Sequence, residues 1–147
     1  MEKVILKVEG TQTDLLGEKT SLEFLSEGQY YCKNGMSYVF YDESDSNGME
    51  GTKTLLKIAG DSLRLVRRGT IENEQFFSNG VKSDSHYHTP YGDIKISVDT
   101  KQIDITMGSI SSSIHVFYDV LIDGKWQSNN ELHIEIVAAD RQSRYLN

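Results

Sequence analysis

The feature that most constrains this chain is a period of two. Ile94, Ile96 and Val98 alternate with Lys95, Ser97 and Asp99, and Ile114, Val116, Tyr118, Val120 and Ile122 alternate with Ser113, His115 and Asp119. Val4 to Val8 does the same between charged Lys3, Lys7 and Glu9, and Leu132, Ile134 and Ile136 repeat it near the far end. Successive side chains of a strand point to opposite faces, so each run builds one apolar face and one wet face. No segment carries the three-to-four spacing of an amphipathic helix. The chain is therefore expected to be all-β.

Turn chemistry cuts this pattern into short strands. Asn34-Gly35 and Asp123-Gly124 between apolar runs are hairpin signals, and Leu15-Leu16-Gly17-Glu18-Lys19 turns the chain near Gly17. Between them lie runs from Leu22 to Cys32 and from Met36 to Tyr41; the second is apolar on both faces and is expected to be covered on both. Thr52 to Ile58 and Leu63 to Val66 form a hairpin across Gly60-Asp61, with Ile58 opposite Leu63, Leu56 opposite Leu65, and Lys57 facing Arg64. The acidic loop from Asp42 to Gly48 is no EF-hand, because its twelfth position is Lys53 and no helix flanks it. The tail from Asp140 is polar and expected to fray. About ten strand candidates joined by short local turns imply an antiparallel up-and-down meander, and a meander of 8–10 strands hides its edges by closing into a barrel.

The 147 residues suit a single domain, 1–147, without linker, repeat or low-complexity segment. A formal net charge of −7 argues against nucleic acid or an anionic membrane as partner. The one cysteine, Cys32, excludes an internal disulfide, fits a reducing compartment, and is expected to pack as an inert small hydrophobe. The N-terminus lacks the apolar length of a signal peptide or spanning helix, so the cytoplasm is the expected location. No P-loop, dinucleotide fingerprint, nucleophile elbow or HExxH is present, and no cofactor is expected.

Chemistry concentrates between Leu63 and Val98, where turns at R-R-G, S-N-G and T-P-Y-G join four short strands. In Thr89-Pro90-Tyr91-Gly92, Pro90 presets φ and Gly92 supplies a positive φ. A three-residue loop there, the register the glycine favours, pairs His88 with Ile94 and His86 with Ile96 and turns both histidines inward. A two-residue loop would instead put Tyr87 and Thr89 inside. At Arg67-Arg68-Gly69 a three-residue loop leaves Arg67 on the rim, and a two-residue loop points it inward. His86 and His88 share a face at a spacing that metal sites use, with His115 or His133 as a conceivable third ligand. Against this, no cysteine or carboxylate framework completes a set, and no metal is expected. Arg64, Arg67 and Arg68 suit an anion, and Tyr87 and Tyr91 suit stacking on a ligand.

The succession R-R-G, F-F-S-N-G and Y-H-T-P-Y-G-D-I resembles the bacterial YwiB-like family, in which an R-x-G turn precedes F-x-x-G and Y-x-T-P-Y-G-x-L. The match falls on Arg67, Gly69, Phe77, Gly80, Tyr87, Thr89, Pro90, Tyr91 and Gly92, with Ile94 for the usual Leu. The resemblance implies a lipocalin-like barrel of the calycin group in a bacterial cytoplasm, places His88 and Arg68 at variable positions, and brings no catalytic residue with it. Together these readings lead to an expectation: a binding module for a small anionic or amphipathic ligand at the barrel mouth, using Arg67, His86, Tyr87 and Tyr91. The alternatives are a metal-dependent enzyme using His86 and His88, and a non-catalytic interaction barrel. A homodimer is left open.

Overall fold

The computed structural model describes residues 1–43 and 50–139. The middle of the acidic loop and the tail from residue 140, both read above from sequence alone, lie outside the described residues. The alternating runs form ten strands: β1 (Glu2–Asp14), β2 (Lys19–Lys33), β3 (Met36–Asp42), β4 (Lys53–Ala59), β5 (Ser62–Arg68), β6 (Asn73–Phe77), β7 (Lys82–Thr89), β8 (Gly92–Met107), β9 (Ser111–Ile122) and β10 (Lys125–Ala138). All pairings between them are antiparallel, in one sheet of order β6-β5-β4-β3-β2-β1-β10-β9-β8-β7. Each strand follows its chain neighbour. The meander wraps until β1 meets β10, from Val4 opposite Ala138 to Asp14 opposite Ser128.

The barrel is nearly closed, and its seam falls between β6 and β7. One bridge, Glu72 with His88, joins them through two backbone hydrogen bonds of 3.0 and 2.8 Å. Side chains do the rest. The Asn73 amide donates to Ser85 Oγ and to the His86 carbonyl, while Asn79 accepts from Ile103 N–H at 2.8 Å and donates to its carbonyl. Asn79 reaches Ile103 where a bulge between Thr100 and Gln102 shifts the β8–β9 register. One extra residue swaps the faces of a strand. That is why even-numbered Val98 and Thr100 point inward before the bulge and odd-numbered Ile103 after it.

The middle of the barrel is solid. Leu6, Leu56, Leu63, Leu65, Phe77, Ile114 and Ile134 are each under 2% exposed. Burial of each such side chain contributes about 1.5–3 kcal/mol. The β4–β5 register is the expected one, with Leu56 opposite Leu65 and Lys57 opposite Arg64. Asn34 and Asp123 hold positive φ of 54° and 50° in the hairpin turns expected of them.

Three expectations are corrected. The turn at Pro90-Tyr91 is the two-residue form: Thr89 pairs with Gly92, Tyr87 with Ile94 and Ser85 with Ile96. The Thr89 hydroxyl decides this, accepting from Tyr91 N–H at 3.1 Å and donating to the Gly92 carbonyl at 2.9 Å. Gly92 still takes a positive φ, 130°, but as a strand residue. His86 and His88 consequently face solvent. Cys32, on the last turn of β2 toward the hairpin, is exposed rather than packed. The outer face of β3 is also uncovered: Phe40 is 36% exposed and, among the described residues, stacks only on Tyr31.

Candidate functional site

Polar inward positions collect at the end of the barrel where β5 leaves for β6. Arg67 continues the Leu63–Leu65 face and points inside, its side chain 15% exposed. Neither tight-turn reading of R-R-G holds, because the chain runs on from Arg68 through Ile71 before β6 begins. The reason is steric. Gly69 lies so close to Gly51 that a Cβ there would sit 2.2 Å from the Gly51 carbonyl oxygen, and the Ile71 N–H is held by Thr52 Oγ1.

Arg67 Nε stands 3.8 Å from a Glu43 carboxylate oxygen that is itself 2% exposed. The same oxygen accepts from the Thr54 hydroxyl at 2.5 Å. The Tyr41 phenol completes the group. Burial pushes its pKa well above the ordinary 10, the Glu43 carboxylate adds to the rise, and Arg67 opposes it. Tyr118, packed edge-on against Phe77 at 4.9 Å, is also raised by burial and opposed by Arg67. The guanidinium thus acts electrostatically on phenols from two sides of the barrel. Arg67 Nε, Asn73 Oδ1 and Thr100 Oγ1 are buried without a hydrogen-bond partner. Buried polar groups are rarely left so; Arg67 and Asn73 are cross-strand partners at this end and mark a place for a polar guest, whereas Thr100 lies by the β6–β7 loop, bonded through its backbone to Gly80 and Val81.

Tyr118 also lines a cavity of about 450 Å³ in the mouth formed by β2, β1, β10 and β9. Inward-facing Gly10, Gln12, Thr20, Leu22, Asn130 and Leu132 line it as well. Gly10 makes the room: an added Cβ there meets nothing within 4 Å. The mouth is apolar at Leu22 and Leu132, and Tyr118 belongs to its lining.

The four residues singled out from sequence do not converge. Arg67 and Tyr87 lie on the inner face, Tyr87 half-buried. His86 is exposed on the outer face, in a shallow groove with Arg68, Glu72 and His88. Tyr91 is 99% exposed at the tip of its turn. The His86 and His88 rings stand 6.2 Å apart, and His88 Nδ1 is taken by Asp93 at 2.9 Å. His115 and His133 pair with each other on β9–β10, roughly 30 Å along β8 from His86. Among the described residues no three His, Cys, Asp or Glu are grouped to hold a metal. Glu43 and Gly10 were missed because nothing local marks them. Tyr118 did carry a signal, as a hydroxyl-bearing residue within an inward row of Ile and Val.

The domain family described as "Domain of unknown function (DUF1934)" matches residues 6–134. The chain is 26% identical over 104 residues to the "Uncharacterized beta-barrel protein YwiB" of Bacillus subtilis (strain 168), an alignment covering 71% of this chain and 72% of that one. It also superposes on the crystal structure of the ywiB protein from Bacillus subtilis with a TM-score of 0.82 at 22% identity, over 94% of this chain and 92% of the other. The fold is shared throughout, which bears out the barrel expected from the alternation.

Proposed function

The chain belongs to the family described as DUF1934, and from that premise we propose that it is a binding module for a small amphipathic molecule with an anionic head. One observation carries this reading: a cation held inside the barrel, Arg67, whose Nε has no hydrogen-bond partner, in a barrel whose mouth cavity is lined by Tyr118, a phenol on which Arg67 acts against the rise that burial causes. A guanidinium offers five donors, and one carboxylate oxygen at 3.8 Å leaves them under-used. An apolar body against Leu22 and Leu132, with its head toward Tyr118 and Arg67, would use them. Tyr87 shares the inner face and would complete the wall on the β7 side, while His86 and Tyr91 take no part. The exposed thiol of Cys32 suits a reducing cytoplasm.

The test is a thermal-shift series with decanoate, decyl phosphate and the neutral decanol, on the native chain and on Gly10→Val. An anionic amphiphile at a hundredfold excess over Kd stabilises by about 2.7 kcal/mol. The reading expects a shift with the anions, a smaller one with decanol, and none in Gly10→Val, whose side chain fills the mouth. Equal shifts in both proteins, or no shift with either anion, would overturn it.

A further inference from the structure

The outer face of β4 and β5 is cationic to a degree that the fold does not explain. Lys57 lies directly opposite Arg64, and Lys53 directly opposite Arg68. Like charges facing across a ladder are destabilising, yet this hairpin sets two such rungs roughly 13 Å apart with the Leu55–Val66 rung between them. Only Arg64 has a carboxylate, Glu74 at 3.1 Å. Lys53, Lys57 and Arg68 have none among the described residues. Carboxylates border the Lys53–Arg68 rung, with Asp42 opposite Lys53 on β3 and Glu72 sharing a groove with Arg68, whereas Tyr38 and Phe76 are the strand neighbours of the Lys57–Arg64 rung. Whole-chain charge is an average and does not describe one rung of a sheet.

Aromatic rings border the cations on both sides. On β2 and β3, Tyr31 stacks on Tyr38 at 4.6 Å and 8° and on Phe40 at 5.9 Å and 21°. Tyr38 is the direct neighbour of Lys57, and Phe40 of Leu55. On β6, Phe76 lies under the Arg64 guanidinium at 4.9 Å. Cations spaced along a sheet and interleaved with exposed rings combine phosphate neutralisation with base stacking. We propose that this face binds single-stranded nucleic acid, with Lys53, Lys57, Arg64 and Arg68 on the phosphates and the Tyr31–Tyr38–Phe40 stack against bases. An acidic protein would use the charges and leave the rings idle, and for that reason it is the lesser fit.

Fluorescence anisotropy with labelled ten-nucleotide RNA and DNA strands tests this, beside an abasic strand of equal length and a poly-glutamate peptide. Four engaged cations predict a salt slope of roughly −3, a loss of about fiftyfold between 50 and 200 mM salt. Lys57→Glu should weaken binding at least tenfold without lowering Tm, since it replaces a facing cation pair by an opposite-charge pair, and Lys53→Gln, which sets no second carboxylate opposite Asp42, should weaken it about fivefold. Should either perturb the far-ultraviolet CD spectrum, Lys57→Gln serves in its place. Tyr38→Ala should weaken the base-bearing strands and leave the abasic strand unchanged. Abasic or poly-glutamate binding as tight as RNA or DNA would overturn the proposal, as would no binding to either strand at 50 mM salt.

Discussion

Replacing Arg67 by Met would take a cation away from a buried carboxylate. Glu43 is 2% exposed and Arg67 15%, so water screens the pair poorly. At 3.8 Å their attraction at an effective dielectric of 20 is about 4 kcal/mol. Deleting one member of a buried pair typically costs 3–5 kcal/mol, because the survivor keeps its desolvation penalty. The Thr54 hydroxyl still donates to Glu43, which argues against the top of that range. The expected loss for Arg67→Met is therefore about 3–4 kcal/mol, or a Tm lower by roughly 6–16 °C for a domain of this size. Glu43→Gln should cost less than half as much, since an amide can keep the Thr54 bond. The double variant should regain at least about 2 kcal/mol over the sum of the singles. Urea denaturation of the four proteins, followed by far-ultraviolet CD, measures the cycle. A loss below about 1 kcal/mol for Arg67→Met, or strict additivity in the double variant, would show that the pair is not coupled and that Arg67 is not held as argued.

Two glycines with positive φ should behave differently. Gly92→Ala meets only the backbone cost of φ 130° in open space and should lose about 1 kcal/mol in urea; Gly69→Ala adds a 2.2 Å clash with the Gly51 carbonyl and should lose roughly 2–4 kcal/mol. Equal costs would remove the steric account of the β5–β6 loop. Tyr41 and Tyr118 both have pKa values raised above 10 in the fold, so the native state keeps protons that the unfolded chain gives up. Stability should thus be level below pH 10 and fall as pH rises beyond it, by up to about 1.4 kcal/mol per unit for each phenol. Guanidinium melts from pH 8 to 11 on the native chain and on Tyr41→Phe should show the slope and its reduction. Gly10→Val, beyond closing the mouth, should stabilise β1 by about 0.5–1 kcal/mol, since a glycine inside a strand is entropically costly. A lower Tm for this variant would refute the room argued for a side chain at residue 10.

Much of the architecture can be read from neighbours in sequence. Alternation at period two is a property of adjacent residues, and so is the turn propensity of Asn34-Gly35, Gly60-Asp61 or Asp123-Gly124. The all-β class, the meander and the Leu56–Leu65 register follow from such local facts. The Thr89 turn marks where local reasoning ends. Glycine at residue 92 favoured one loop length, but a threonine hydroxyl bonded to both sides of the turn selected the other, and with it the outward faces of His86 and His88. Tertiary structure alone decided the remainder. The meeting of β1 with β10 and the seam at β6 and β7 depend on tilt accumulated over all ten strands, which no single hairpin records. The contact of Arg67 with Glu43 joins a strand end to a loop, and the Lys57–Arg64 rung gains flanking rings only when β3 and β6 set Tyr38 and Phe76 beside it. These are long-range contacts of side chains whose local sequence favours no partner, and only the closed barrel brings them together.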